Sequence, residues 1–286
     1  MDDETVYIQS AEAVSSFLSI IACLLMSRKI LMDRSLYNHS NHKNARKSMF
    51  STDVGETGQS SSSINMLCVL FFLNFILAIF WGIGNSGTRN NELCQIQAFF
   101  LQWLMLANVF VAVLLTYQTY QWVVLSKHPK KIENIMSSYM RVIMISTFVL
   151  AVILLALGVY GNTQLWCWIS SDNESYRIIF FGFVIPSWVV ILFLLRQILN
   201  SLALKRKVKS SIEMRIVDLL DSNKKIQSRI VMFVAVFLFS WFFPILNRLV
   251  EMGMSATCFP LEIITAATLP LQGFLNAICY GGGISL

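Results

Sequence analysis

Residues 64–83 read INMLCVLFFLNFILAIFWGI, twenty positions with no Asp, Glu, Lys, Arg or His. Such a run, rising about 1.5 Å per residue as a helix, crosses the ~30 Å hydrocarbon core of a bilayer. A helix satisfies its own backbone there, where lipid offers it no partner. Five further runs of this kind are 94–124, 142–160, 178–195, 230–246 and 263–280. A shorter one, 13–26, lies between Glu12 and the pair Arg28 and Lys29, whose long stems reach the interface and lengthen the span. Composition agrees: 56% hydrophobic and 13% charged residues, with a mean hydropathy of +0.62, cannot be dispersed over a water-facing surface. We therefore expect an all-α membrane protein, a single seven-helix transmembrane domain over 1–286.

The basic residues give the helices a direction. The first connection carries Arg28, Lys29, Arg34, Lys43, Arg46 and Lys47, and the third carries Lys127, Lys130, Lys131 and Arg141. The fifth carries Lys205, Arg206, Lys207, Lys209, Arg215, Lys224, Lys225 and Arg229, whereas the alternate connections hold only Arg89 and Arg177. The positive-inside rule then puts the amino terminus outside and the carboxyl terminus in the cytoplasm. The opening MDDET has no basic region ahead of the apolar run, which argues for a retained first helix over a cleaved leader. The net charge of +6 becomes a property of the cytoplasmic face, and no nucleic acid is needed to explain it.

On this topology the stretch NTQLWCWIS, from Asn162 to Ser170, lies outside, in the connection between the fourth and fifth helices. Cys94, opening the third helix, is on the same side. In an oxidising compartment a Cys94–Cys167 disulfide would pin the loop over the bundle; the alternative is two unpaired interfacial cysteines, with Trp166 and Trp168 as belt anchors. Cys23, Cys68 and Cys279 fall within helices, and Cys258 is left as a lone thiol.

Three motifs carry a family resemblance. GNTQLWCWI followed by Tyr176 and Arg177, then LNRLV (Leu246 to Val250), then LPLQGFLNAICYG (Leu269 to Gly281), resemble in order the second extracellular loop, the sixth-helix exit and the seventh helix of cAMP-receptor-like G-protein-coupled receptors and their plant and protist relatives. The third helix ends LLTYQTYQWVVL, without the Asp-Arg-Tyr lock of rhodopsin-like receptors, and Asn276 and Tyr280 lack the proline found there. The chain stops at Leu286, short of the eighth helix and tail common in receptors. The resemblance implies an extracellular small-molecule ligand, a heterotrimeric G protein as partner, and a multi-pass place in the plasma membrane.

Between the spans, 34–63 is polar and ends GETGQSSSS, a long flexible first cytoplasmic loop with room for phosphorylation at Ser60 to Ser63. Region 205–229 differs: Ile212, Ile216, Leu219 and Leu220 recur at helical spacing, so a basic amphipathic segment is expected there, either lying on membrane lipid, docking a partner or simply extending the neighbouring helices. The basic residues expected to meet a G protein are Lys127, Lys130, Lys131, Lys205, Arg206, Lys207 and Lys209. The sequon at Asn173 is on the outer side. Pro186, Pro244 and Pro270 each remove an intrahelical hydrogen bond and predict kinks in the fifth, sixth and seventh helices.

Polar residues within spans are costly and mark function or interhelical contact. Asn74, Asn108, Gln118, Gln272 and Asn276 read as interhelical glue. Arg248 needs water, an acidic neighbour such as Glu251 or Glu262, or a ligand, and an ion pair with Glu262 closing the sixth helix on the seventh is the expected ligand-free state. Gln102, Arg177, Asn247, Arg248 and Glu262 form the candidate ligand set, since two arginines on one cavity favour phosphate or carboxylate.

Other classes fit poorly. A membrane zinc hydrolase needs clustered ligands, yet His39, His42 and His128 all lie in connections, and nothing calls for a metal or cofactor. A retinal pump needs a lysine in the last helix, and none follows Lys225. A seven-helix transporter or another membrane sensor is the alternative; no internal repeat of the kind transporters carry is evident.

Overall fold

The computed structural model describes residues 3–47, 60–127, 129–163, 166–209, 217–254 and 258–281. Its helices are α1 (Asp3–Lys47), α2 (Ser60–Ile83), α3 (Asn91–Val123), α4 (Pro129–Ala156), α5 (Glu174–Lys209), α6 (Val217–Met254) and α7 (Phe259–Gly281). All seven are long and apolar enough to cross a membrane. The chain is a multi-pass membrane protein.

The helices do not share the interior equally. In α3, 72% of the most apolar stretch is buried, against 17% in α4. The first therefore threads the centre, touching α2, α4, α5, α6 and the loop above, and the second stands at the rim. Val142, Ile145, Val149, Val152 and Ile153 of α4 stay exposed, an apolar surface that suits lipid. Asn108 on α3 donates to Asn74 on α2 at 3.0 Å, as the glue reading expects.

Pro186, Pro244 and Pro270 all sit inside continuous helices. At the last of these the Ser19 hydroxyl of α1 donates to Pro270 O and accepts from Phe274 N at 3.1 Å. The hydroxyl thus ties α1 to two backbone groups of α7 beside the proline. Gly273 makes room for this contact, since a Cβ there would stand 2.8 Å from Cys23 Sγ.

Two expectations need correction. The first span is Thr5–Ile30, so Glu12 is not its boundary but lies inside it, buried against the end of α2. Region 34–63 is helical at both ends, in α1 to Lys47 and in α2 from Ser60; 48–59 lies outside the described residues. The fold is all-helical as expected, and in the connection between α4 and α5 two short strands, β1 (Tyr160–Asn162) and β2 (Cys167–Ile169), pair antiparallel, Asn162 opposite Cys167. Of the amphipathic segment, Ile212 and Ile216 lie outside the described residues, while Leu219 and Leu220 fall in α6.

Candidate functional site: a capped cavity between the helices

Two local stops place the hairpin. At the end of α4, Gly158 adopts φ +65°, Val159 N donates to Leu154 O and Gly158 N donates to Leu155 O, a Schellman closure that turns the chain into β1. At the start of α3, the Asn90 side chain accepts from Glu92 N at 2.9 Å and from Leu93 N, capping the helix so that Cys94 falls in its first turn.

Cys94 and Cys167 are disulfide-bonded, with their Cα atoms 5.1 Å apart. Three glutamines of α3 hold the same hairpin. Gln95 Nε2 donates to Tyr160 O at 3.0 Å, Gln97 Oε1 accepts from Cys167 N, and Gln102 Oε1 accepts from Trp168 Nε1 at 2.8 Å. Gln97 also donates to Phe80 O and Gly84 O, tying the loop to the end of α2. Tyr160 donates to Ala151 O, and burial pushes its phenol well above the usual tyrosine range.

Beneath the hairpin lies a cavity of about 150 Å³. Its walls are aromatic: Trp81, Trp166, Trp168, Phe180, Phe181 and Trp241. Arg177, Asn247, Arg248, Glu251 and Glu262 supply its charge and polarity. Arg177 Nε donates to Ile169 O at 2.9 Å, and its guanidinium stands 6.0 Å from the Trp168 ring centre, so the loop strand and the top of α5 are locked together. Arg177 also feels the charges of Arg248 and Glu251.

Arg248 is paired differently from the expectation. Its Nη1 lies 2.9 Å from Glu251 Oε2, one turn along α6, and Asn247 bonds the other oxygen of the same carboxylate at 3.3 Å. A residue three positions on in a helix is within reach whatever the packing, whereas a partner on another helix depends on it, so this pair forms within α6. Among the described residues, Arg248 Nε, Asn247 Oδ1, Thr265 Oγ1 and the indole nitrogens of Trp81 and Trp241 are buried without a hydrogen-bond partner, and all five residues line the cavity. Unspent donors and acceptors around one space suit a polar occupant.

Of the five candidate ligand residues the structure brings Arg177, Asn247, Arg248 and Glu262 to one cavity. Gln102 stands behind the wall, its carboxamide taken by Trp168. Missing from the candidate set were Trp81 and Trp241, whose indoles look like ordinary span residues in sequence, and Gln97, whose partners are backbone groups. At the opposite end Lys127 is exposed; Lys130 and Lys131 fall in α4 and Lys205, Arg206, Lys207 and Lys209 in α5, their side chains outside the described residues. Asn173 closes the short 3-10 turn before α5.

A seven-helix membrane bundle whose interior cavity is capped by a disulfide-bound hairpin is the architecture of a receptor. A family model described as slime mold cyclic AMP receptor matches residues 59–280, and the chain belongs to that family. No curated protein matches it.

Proposed function

We propose that the chain is a G-protein-coupled receptor whose extracellular ligand, a small anion of the cyclic-nucleotide kind, seats between Arg177 and Arg248. The observation that carries this is the meeting of two arginines, one from α5 and one from α6, on a single aromatic cavity. Guanidinium matches phosphate oxygens two at a time, and indole and phenyl rings take a planar base. When ligand enters, Arg248 exchanges a Glu251 oxygen for a ligand oxygen. That gives the ligand different contacts in two arrangements of α6, which is what shifts a population between them.

In this reading the hairpin and amino terminus face outward at the plasma membrane, with Asn173 open to glycosylation. The carboxyl terminus and the basic ends of α4 and α5 face the cytoplasm. A heterotrimeric G protein docks there on Lys127, Lys130, Lys131, Lys205, Arg206, Lys207 and Lys209. Reconstitution with a heterotrimeric G protein tests it: cAMP should accelerate nucleotide exchange on the G protein. Cyclic-nucleotide uptake into liposomes without any exchange would make the chain a transporter instead.

A further inference from the structure

Away from the cavity, α1 holds a carboxylate that no hydrogen-bond donor meets among the described residues. Glu12 is 1% exposed, and among the described residues neither of its oxygens has a hydrogen-bond partner. Ser16, one turn on, is equally buried, and its hydroxyl also lacks a partner. Both side chains press on the end of α2. Glu12 Oε2 lies 3.6 Å from where a Cβ on Gly84 would stand, and Ser16 Cβ lies 3.5 Å from the same point on Gly82. Gly84, at φ +50°, turns the chain there in a conformation that side chains disfavour.

The electrostatics of this corner point one way. A helix carries negative partial charge at its carboxyl end, and the carboxylate packed beside the turn that follows α2 is itself an anion. Buried carboxylate oxygens at a negative helix end, with no basic side chain bonded to them among the described residues, are strongly unfavourable as an anion unless a cation or a proton joins them. On the turn before Glu12, Gln9 has its amide nitrogen buried without a partner, and turning the amide over presents an oxygen in its place.

We propose that Glu12, Ser16 and the carbonyl end of α2 bind a monovalent alkali cation of sodium's kind. An all-oxygen set suits a hard cation. One carboxylate balances a single positive charge, whereas a divalent ion would leave charge uncompensated in the bundle. Because Gln97 joins this end of α2 to Cys167, an ion here stiffens the frame on which the capping hairpin rests.

The full chain, purified in detergent, is melted in sodium chloride and in N-methyl-D-glucamine chloride of equal ionic strength, without nucleotide. Sodium should raise the wild-type Tm by about 3–5 °C at ten times its dissociation constant. Glu12→Gln should abolish that response and melt no lower than wild type in sodium-free buffer; Ser16→Ala should weaken the response; Arg89→Ala, in the adjoining turn, should keep it. A wild-type Tm indifferent to sodium would overturn the site, leaving Glu12 neutralised by a proton or by Arg89. A full sodium response in Glu12→Gln would overturn it equally, and if that variant does not fold, an undiminished response in Ser16→Ala does so.

Discussion

Arg248 is buried beside Glu251, with one guanidinium nitrogen, Nε, still without a partner at the cavity. Removing a buried, hydrogen-bonded charge from a binding site typically costs about 2–5 kcal/mol, so Arg248→Ala should weaken cAMP binding by well over tenfold. Arg248→Lys should recover only part, because an ammonium cannot reproduce the two-pronged contact. Competition binding on all three proteins measures both effects. Tyr160 offers a test by pH. Its phenol is neutral in the fold beyond the pH near 10 where an unfolded tyrosine ionises, so its contribution is complete below pH 10 and is lost as pH rises toward the folded value. Tyr160→Phe should therefore flatten the alkaline fall in stability, and melting curves from pH 9 upward would show whether it does. Individual roles were only half legible in the sequence. Arg177 and Arg248 stand out as charges in apolar runs, but nothing in the chain tells that Gln102 turns to Trp168 or that Arg248 prefers Glu251, since both outcomes depend on tertiary geometry.

At the level of elements, α7 is held against α1 by a contact with little slack. A Cβ on Gly273 would stand 2.8 Å from Cys23 Sγ and 3.3 Å from Ser19 Cβ. Gly273→Ala should destabilise the bundle by about 1–3 kcal/mol, as overpacking does, and adding Cys23→Ala should return most of it. Thermal unfolding of the single and double variants reads the coupling directly. The hairpin has its own anchor: Cys167→Ser should cost about 2–4 kcal/mol of stability and loosen Trp168, seen as quicker proteolysis within 163–170. The spans were legible because runs such as 64–83 have no other stable place, and their lengths match a bilayer. Glu12 misled because a carboxylate reads as the end of a span, whereas here it is buried inside one, beside Gly84. Strands of three residues, like β1 and β2, are too short to show an alternating pattern.

Across the whole molecule the cavity and its capping hairpin occupy one end of the bundle, and Lys127 lies beyond the other, at the far end of α3. If that basic end receives a G protein, reversing the charge of Lys205, Arg206, Lys207 and Lys209 together should reduce nucleotide exchange while leaving cAMP affinity without G protein unchanged. Exchange at the wild-type rate would move the docking surface toward Lys127, Lys130 and Lys131. The central claim, that a small anion seats between Arg177 and Arg248, is tested most directly by thermal shift of the purified chain against cyclic nucleotides and other small anions, since a ligand that binds only the folded state must stabilise it. The account predicts a concentration-dependent rise in Tm with cAMP that disappears in the Arg177→Ala, Arg248→Ala double variant. A Tm unmoved by every anion, or a rise that survives intact in the double variant, would contradict it.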